Sequence, residues 1–485
     1  MRGPWARWLD AVFGVDLRSL ALFRIGLALV LLWDLFDRSK SVAAHYTDAG
    51  TVPAAVLPLV TGGAKLSIHA WLSGSLAAQW ALLGAAFVAA LALLLGFHAR
   101  LAAAASWFLL VSLQVRNPLV SWEGADKLLV ALLFWSLLAP IGARYSLDAR
   151  RRPSQTASWL CTPATALFVL QVCALYWITG MGKTGESWRN GMALAYALRV
   201  DYFGSPLGAW ARQFEGPIAL MSHMTRWLEL LGPFLLLVPW HTWLFRLLAM
   251  SAFYGFHLGI LLLMSVGFFS PVSMVMWLPL LPSQIWDALA RLRAGAPAAG
   301  AGAALRTSRP VEVAAALLAA FLIASIGAKA WTFFSGTPLG LPTPVETAAR
   351  LLRVRQVWPM FSPDPPPYDL WPVLRGRLPD GRLVDPFRGG PVVSEQPADV
   401  AAYFPSFKWK IHLWWLGQQS RDAKEAHPLW TYLADHLCRR WNSEHAPSER
   451  LQAISITLNM EPIKPDRATD PVERWPLLDH RCPGA

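Results

Sequence analysis

The sequence carries little charge for its length. Only 15% of its 485 residues are Asp, Glu, Lys or Arg, whereas soluble domains average about 25%. Hydrophobic residues make up 55% of the chain, and helix-length runs of them recur through its first two thirds. This shortage of charge excludes an ordinary soluble domain and indicates a membrane protein that crosses the bilayer repeatedly.

Cysteine and the common enzyme motifs are also scarce. The four cysteines form no CxxC pair, which argues against a metal or redox framework, although Cys438 and Cys482 could form a disulfide in an extracytoplasmic domain. The motifs GxxxxGK[ST], HExxH and GxSxG are missing, no GxGxxG follows a predicted strand, and the eleven histidines show no metal-ligand spacing. Nucleotide-dependent enzymes, common hydrolases and metal centres are therefore not indicated.

The hydrophobic runs predict an all-α polytopic bundle of about nine transmembrane helices over residues 1–340. The expected spans are 20–36, 76–96, 101–116, 126–142, 158–180, 225–240, 243–266, 268–284 and 312–334. The first is too long for a signal-peptide core and is expected to be retained. The segment 294–304 is rich in Ala, Gly and Pro, which is typical of a flexible linker.

The net charge of +12 reflects membrane topology rather than binding to nucleic acid. Arginines cluster in three places between or before the spans: Arg2 and Arg7; Arg144 and Arg150–Arg152; and Arg291, Arg293, Arg306 and Arg309. With nine spans and a cytoplasmic N-terminus, all three clusters lie on the cytoplasmic side, as the positive-inside rule requires. Eight spans would place the third cluster outside.

The sequence pattern of residues 341–485 predicts a small α+β domain, which we expect on the outer side of the membrane, periplasmic or luminal. Asp380-Gly381 between alternating apolar segments indicates a β-hairpin. Residues 430–442 carry apolar residues at four-residue spacing and predict a helix, whereas 451–458 alternates and predicts a strand.

Ionisable residues in or beside the spans mark the candidate site, because charge in hydrocarbon is costly. The topology places six of them in the outer half of the bilayer, around one cavity: Asp34, Asp126, Lys127, Lys183, Glu229 and His257. Tyr176, Thr179 and Lys183 share a helix face if the fifth span continues that far. A lysine in a dry pocket is a competent general base. The structural alternatives are a lysine that snorkels to the headgroups and a histidine that only packs between helices.

Five patches resemble the HTTM (horizontally transferred transmembrane) proteins, which are related to vitamin K-dependent gamma-carboxylase. They are residues 16–25 with 33–34 and 46–50, residues 134–148, the motif Tyr176–Gly191, residues 256–260 with 267–271, and residues 358–363 with Asp380-Gly381. This resemblance implies a multi-pass bundle whose site faces the lumen or periplasm.

The resemblance also implies site roles. Lys183 takes the place of the carboxylase lysine that deprotonates reduced vitamin K, and Trp188 and Gly191 match that motif downstream. Phe256-His257 and Glu229 match a Phe-His pair and an acidic residue. Two departures restrict the comparison. The stretch Trp122–Lys127 lacks the assisting histidine, and the chain lacks most of the luminal region that grips a propeptide.

Two functions follow, and both stay open. One is a membrane enzyme that acts on a lipid-soluble quinol, reduced vitamin K or another, with Lys183 as general base and His257 and Glu229 as orienting or proton-shuttling groups. The resemblance does not extend to carboxylation of protein glutamate, because the chain lacks most of the region that grips a propeptide. The other is a non-catalytic membrane scaffold or binding protein that keeps the fold. No inverted repeat supports a transporter.

Overall fold

Long apolar helices form the first two thirds of the chain, as the hydrophobic runs predict. The structure, a computed structural model, describes residues 3–61, 67–151, 158–294, 308–396, 400–464 and 471–483. Within these ranges five helices are long and apolar enough to cross a membrane: α2 (Leu17–Ser39), α6 (Leu76–Leu95), α10 (Pro163–Gly182), α15 (Thr242–Leu263) and α18 (Arg309–Ser335). The chain is therefore a largely helical, integral membrane protein.

Shorter helices connect and surround these five. They are α1 (Pro4–Phe13), α3 (Val42–Tyr46), α4 (Leu57–Thr61), α5 (Ile68–Trp71), α7 (Ala99–Arg116), α8 (Gly124–Ser136), α9 (Leu147–Arg151), α11 (Glu186–Arg189), α12 (Ala193–Ala197), α13 (Pro206–Ala211), α14 (Glu215–Leu231), α16 (Phe269–Trp277), α17 (Ser283–Ala294) and α19 (Thr343–Leu351). A two-residue pair of strands, β1 (Val15–Asp16) and β2 (Trp159–Leu160), links the start of α2 to the start of α10.

The other four predicted spans overlap α7, α8, α14 and α16, most of them only in part, so nine transmembrane helices are not confirmed. The last two are interrupted, because α14 passes into a 3₁₀ turn at Gly232–Leu237 and α16 into another at Leu278–Leu280. Pro233 and Pro279 lie in these turns, and proline cannot donate the backbone hydrogen bond that continues a helix. The expected linker after Ala294 lies outside the described residues, as do Arg2, Arg152 and Arg306.

The helix α10 lies at the centre of the bundle and is buried along most of its length. Its start is fixed by Thr162 and Thr165, which cap each other's backbone N–H groups, and by Pro163 in the first turn. At its other end, Gly180 lies against α14: a Cβ there would come within 3.1 Å of Glu229 Cβ. The small residue therefore allows the close approach of the two helices that positions the candidate site.

The C-terminal region contains the predicted strands and helix. Four antiparallel strands pair in the order β4-β3-β5-β6: β3 (Tyr368–Arg377), β4 (Leu383–Val384), β5 (Ala453–Pro462) and β6 (Glu473–Arg481). The helices are α20 (Val400–Tyr403), α21 (Phe407–Ala423) and α22 (Leu429–Glu444). The hairpin around Asp380-Gly381, the helix at 430–442 and the strand at 451–458 are confirmed. Cys438 and Cys482 form a disulfide that joins α22 to the end of β6, with Cα atoms 5.5 Å apart.

The helix α21 connects this region to the bundle, and the sequence patterns did not predict it. Trp409, Leu413 and Leu416 of α21 share one hydrophobic core with Val52 and Leu119 of the bundle. This contact brings two buried lysines of α21, Lys408 and Lys410, against the membrane helices. The predicted domain boundary near residue 340 falls between α18 and α19.

Candidate functional site

A cavity of about 410 Å³ lies where α10, α14 and α15 meet the start of α8, the segment 359–366 and α21. Its volume falls in the range of small-molecule sites, roughly 300–1,000 Å³. The wall is mostly apolar and rich in aromatic rings, which include Trp122, Phe203, Phe256, Phe269, Phe361 and Trp414. Such a surface suits an apolar, ring-containing molecule better than a charged one.

Lys183 and Glu229 place a charged pair in this wall. The helix α10 ends at Gly182, so Lys183 is its C-cap, and Glu229 approaches from α14. Nζ of Lys183 donates a hydrogen bond to Oε2 of Glu229 at 2.5 Å, and both residues are almost completely buried. The ammonium also lies 4.9 Å from the centre of the Trp188 ring. The amine is therefore held inside the protein and does not snorkel to the headgroups.

The turn after Lys183 is fastened to the segment that follows the bundle. Trp188 Nε1 donates to the carbonyl of Phe361 at 2.9 Å, and the Gly185 N–H donates to the carbonyl of Pro363 at 3.1 Å. Asp364 accepts hydrogen bonds from the backbone N–H and the hydroxyl of Ser187. A Cβ on Gly185 would overlap Asp364, so this position requires glycine. The segment 361–364 thus holds in place the turn that follows Lys183.

His257 belongs to a second polar group in the same wall. Its Nε2 lies 2.7 Å from the Tyr176 hydroxyl, which accepts a hydrogen bond from Trp277 Nε1 at 3.0 Å. The hydroxyl hydrogen is then available to Nε2, and this pattern assigns the ring hydrogen of His257 to Nδ1. Nδ1 has no hydrogen-bond partner among the described residues. The His257 ring is therefore held in place at Nε2, and its Nδ1–H donates to none of the described residues.

The cavity wall brings together seven of the nine predicted site residues. Tyr176, Thr179, Lys183, Trp188, Glu229 and His257 all line it, and so does Lys127 on α8. The shared face expected for Tyr176, Thr179 and Lys183 is present, although the helix stops one residue before the lysine.

Asp34 and Asp126 do not line this cavity, contrary to the expectation. Both are fully buried in a separate ion cluster with Arg38 and Lys408. Arg38 donates to Asp34 at 2.7 Å and also to Asp126, while Lys408 lies 3.3 Å from Asp34. The reason for the difference is Lys408: a C-terminal helix supplies a cation that draws both carboxylates away from the cavity.

Several wall residues were not predicted from the sequence. Glu123, Ser362 and Asp364 line the cavity, but they lie in loops without helical periodicity. Lys408 and Lys410 alternate with aromatic residues in Phe407-Lys-Trp-Lys-Ile411. Two lysines within so apolar a stretch are a signal of buried charge that could have been used.

A largely apolar cavity with a buried ion pair in its wall, in a bundle of apolar helices, defines an integral membrane protein with a polar centre. The family model of the HTTM domain matches residues 14–286, more than half of the chain, and the protein belongs to the HTTM family. The match includes every predicted site residue from Asp34 to His257, and the family predicted from the five patches is confirmed. Comparisons with curated proteins and with solved structures find no match.

Proposed function

We propose that this HTTM protein is a membrane enzyme that acts on a lipid-soluble, quinol-like substrate, with Lys183 as the proton-accepting group. The observation that carries the proposal is the Lys183–Glu229 pair, which is buried in the wall of an aromatic cavity. A buried ion pair contributes little net stability, because desolvation offsets most of the attraction between its charges. A charged pair in the wall of an apolar cavity is therefore better explained by chemistry than by stability.

The pair can remove a proton from a phenol without any other group. One proton moves from Nζ of Lys183 to Oε2 of Glu229, which leaves a neutral amine and a neutral acid. The amine then accepts the proton of a bound hydroxyl, and the resulting ammonium stabilises the new phenolate. Placement in a dry, apolar wall strengthens this electrostatic stabilisation.

His257 serves as an orienting donor in this proposal. Tyr176 and Trp277 fix the ring from the Nε2 side. The N–H at Nδ1 is then left to bind an oxygen of the substrate. The role explains why a fully buried nitrogen has no partner among the described side chains, an arrangement that costs about 1–3 kcal/mol when nothing binds.

The proposed topology keeps nine crossings, with α7, α8, α14 and α16 as the four that are shorter or less apolar, and an outer C-terminal region. The Cys438–Cys482 disulfide supports this orientation, because disulfides persist in oxidising compartments outside the cytoplasm. The cavity then lies toward the outer side, and apolar substrates reach it from the bilayer.

The test is turnover of a defined probe by the full chain in lipid nanodiscs. Menadiol, a methylated naphthoquinol, is added under oxygen, and its oxidation is followed together with binding, read from tryptophan quenching. Lys183→Ala should still bind menadiol and should lose turnover by roughly 100-fold or more. The exposed Lys424 gives the matched control, Lys424→Ala, which should behave like the unsubstituted protein.

The same experiment tests the alternative function, a non-catalytic scaffold. The specific observation in its favour is that α21 shares a hydrophobic core with the bundle, as expected of a rigid platform. A scaffold predicts no turnover in the unsubstituted protein. Equal turnover in the Lys183→Ala variant would remove Lys183 from the mechanism.

A further inference from the structure

A second carboxyl group lies in the cavity wall, away from the Lys183–Glu229 pair. Glu123 precedes α8 in the loop that begins with Trp122, whereas Lys183 and Glu229 come from α10 and α14. Its side chain is partly accessible, through the cavity that it lines. The site therefore has acid-base groups on two different parts of its wall.

Glu123 is not neutralised by a direct ion pair. No Lys, Arg or His nitrogen of the described chain lies within 4.0 Å of its carboxylate, and its side-chain contact is a long one, 3.5 Å, from the Tyr202 hydroxyl. The cations near it are engaged elsewhere: Lys408 with Asp34 and Asp126, and Lys410 with the carbonyl of Ser265 at 3.0 Å. Because no cation of the described chain pairs with it directly, the Glu123 carboxyl can exchange its proton.

The charged groups around Glu123 act in opposite directions. Burial raises the pKa of Glu123 to about 7; Lys408 and Lys410 on α21 oppose this shift, while Asp126 on α8 adds to it. Tyr202 faces the carboxyl from the 3₁₀ turn Asp201–Phe203, and Lys127 lines the cavity one helical turn further along α8. A group that is half protonated near neutral pH can both give and take a proton.

We propose that Glu123 is the second proton-transfer group of the cavity and accepts the second hydroxyl proton of a quinol after the Lys183–Glu229 pair has accepted the first. The O–H bond of that hydroxyl breaks, its electron pair stays on the ring oxygen as two electrons leave the ring for oxygen, and the proton goes to the Glu123 carboxylate. Lys127 stabilises this carboxylate before the transfer, and loss of the proton to solvent restores it. The inference rests on the proposed function, and it narrows the substrate class to apolar rings with two oxygen functions, as in a quinol.

Infrared spectroscopy tests this role without relying on turnover. The carbonyl stretch of a protonated carboxyl is recorded against pH for the full chain in nanodiscs, and the spectrum of Glu123→Gln is subtracted. We expect a band that disappears with a midpoint near pH 7 and that shifts when menadiol is added. The exposed Glu425 supplies the control, because Glu425→Gln should leave this band in place.

The outcomes separate this inference from the proposed function. If menadiol binds but the carboxyl band does not shift, or if Glu123 is already ionised at pH 5, the proposed role of Glu123 is wrong. The proposed role of Lys183 is not affected by either result. If menadiol does not bind at all, both proposals fail. Where turnover is measured, Glu123→Gln should reduce it by roughly 100-fold and remove the neutral limb of the pH profile, whereas Glu123→Asp should retain that limb.

Discussion

Lys408, from the C-terminal region, places its ammonium 3.1 Å from Oδ1 of Asp126, inside the helical bundle. The same ammonium lies 3.3 Å from Asp34, and Arg38 donates to both carboxylates. Two cations and two anions thus balance each other in a space with no exposed side chain. This cluster makes a C-terminal lysine part of the membrane core, so the two regions should unfold together.

Loss of Lys408 should destabilise the whole protein. Lys408→Met keeps the length of the side chain but leaves two buried carboxylates with one cation, and removal of one partner from a buried ion pair costs about 3–5 kcal/mol. The measurement is thermal unfolding in detergent, with the exposed Lys424→Met as the control. A melting temperature equal to that of the control would mean that Arg38 alone neutralises both carboxylates.

Single and double substitutions in the Lys183–Glu229 pair should separate its effect on stability from its effect on function. Lys183→Met or Glu229→Leu alone leaves one buried charge unpaired, so each single variant should lose about 3–5 kcal/mol. The double variant removes both charges and should recover most of that loss while menadiol turnover stays absent. A double-mutant cycle on unfolding free energies measures the coupling. Additive losses in that cycle would contradict a direct pair.

The sequence was sufficient for the parts that depend on local pattern. Hydrophobic runs located the five long apolar helices, Asp380-Gly381 located the hairpin, and ionisable residues in apolar runs pointed to Lys183, Glu229 and His257, which lie in one wall. In each case the signal lies within a short stretch of chain. For the ionisable residues, the high cost of burying charge in hydrocarbon indicates that they belong to a site.

The rest depends on contacts between distant residues, which a single sequence does not reveal. Asp34 and Asp126 are buried in the bundle, but they pair with Lys408, which is 282 residues from Asp126, in a cluster of their own. Glu123 was missed for the same reason, because its surroundings come from Tyr202 and α21. Proline turns at 232–237 and 278–280 also shorten helices that hydropathy alone treats as continuous.

Stability should fall as the pH drops below about 6.5. Burial lowers the pKa of His412 to about 3, and the pKa of His436 is lowered to about 4 by burial as well. The folded chain therefore keeps these rings neutral while the unfolded chain binds protons near pH 6.5, so unfolding takes up protons in this window. Each pH unit costs about 1.4 kcal/mol per ring. Unfolding free energies between pH 7 and 4 measure the slope, which His412→Leu should reduce; an unchanged slope would exclude His412.

Filling the cavity from α15 should block the ligand without damaging the fold. Gly255 and Gly259 line the cavity, and a Cβ at either position meets no atom within 4 Å. Gly259→Leu therefore places its side chain in open space, and it should raise helix stability by up to about 1 kcal/mol because leucine is the better helix former. Menadiol binding, read from tryptophan quenching, should weaken roughly tenfold or more, since overlap with a packed group costs about 1–3 kcal/mol.

Gly84 on α6 also has open space but does not line the cavity, so Gly84→Leu should bind menadiol normally. Equal binding by the two variants would mean that the ligand occupies another part of the protein.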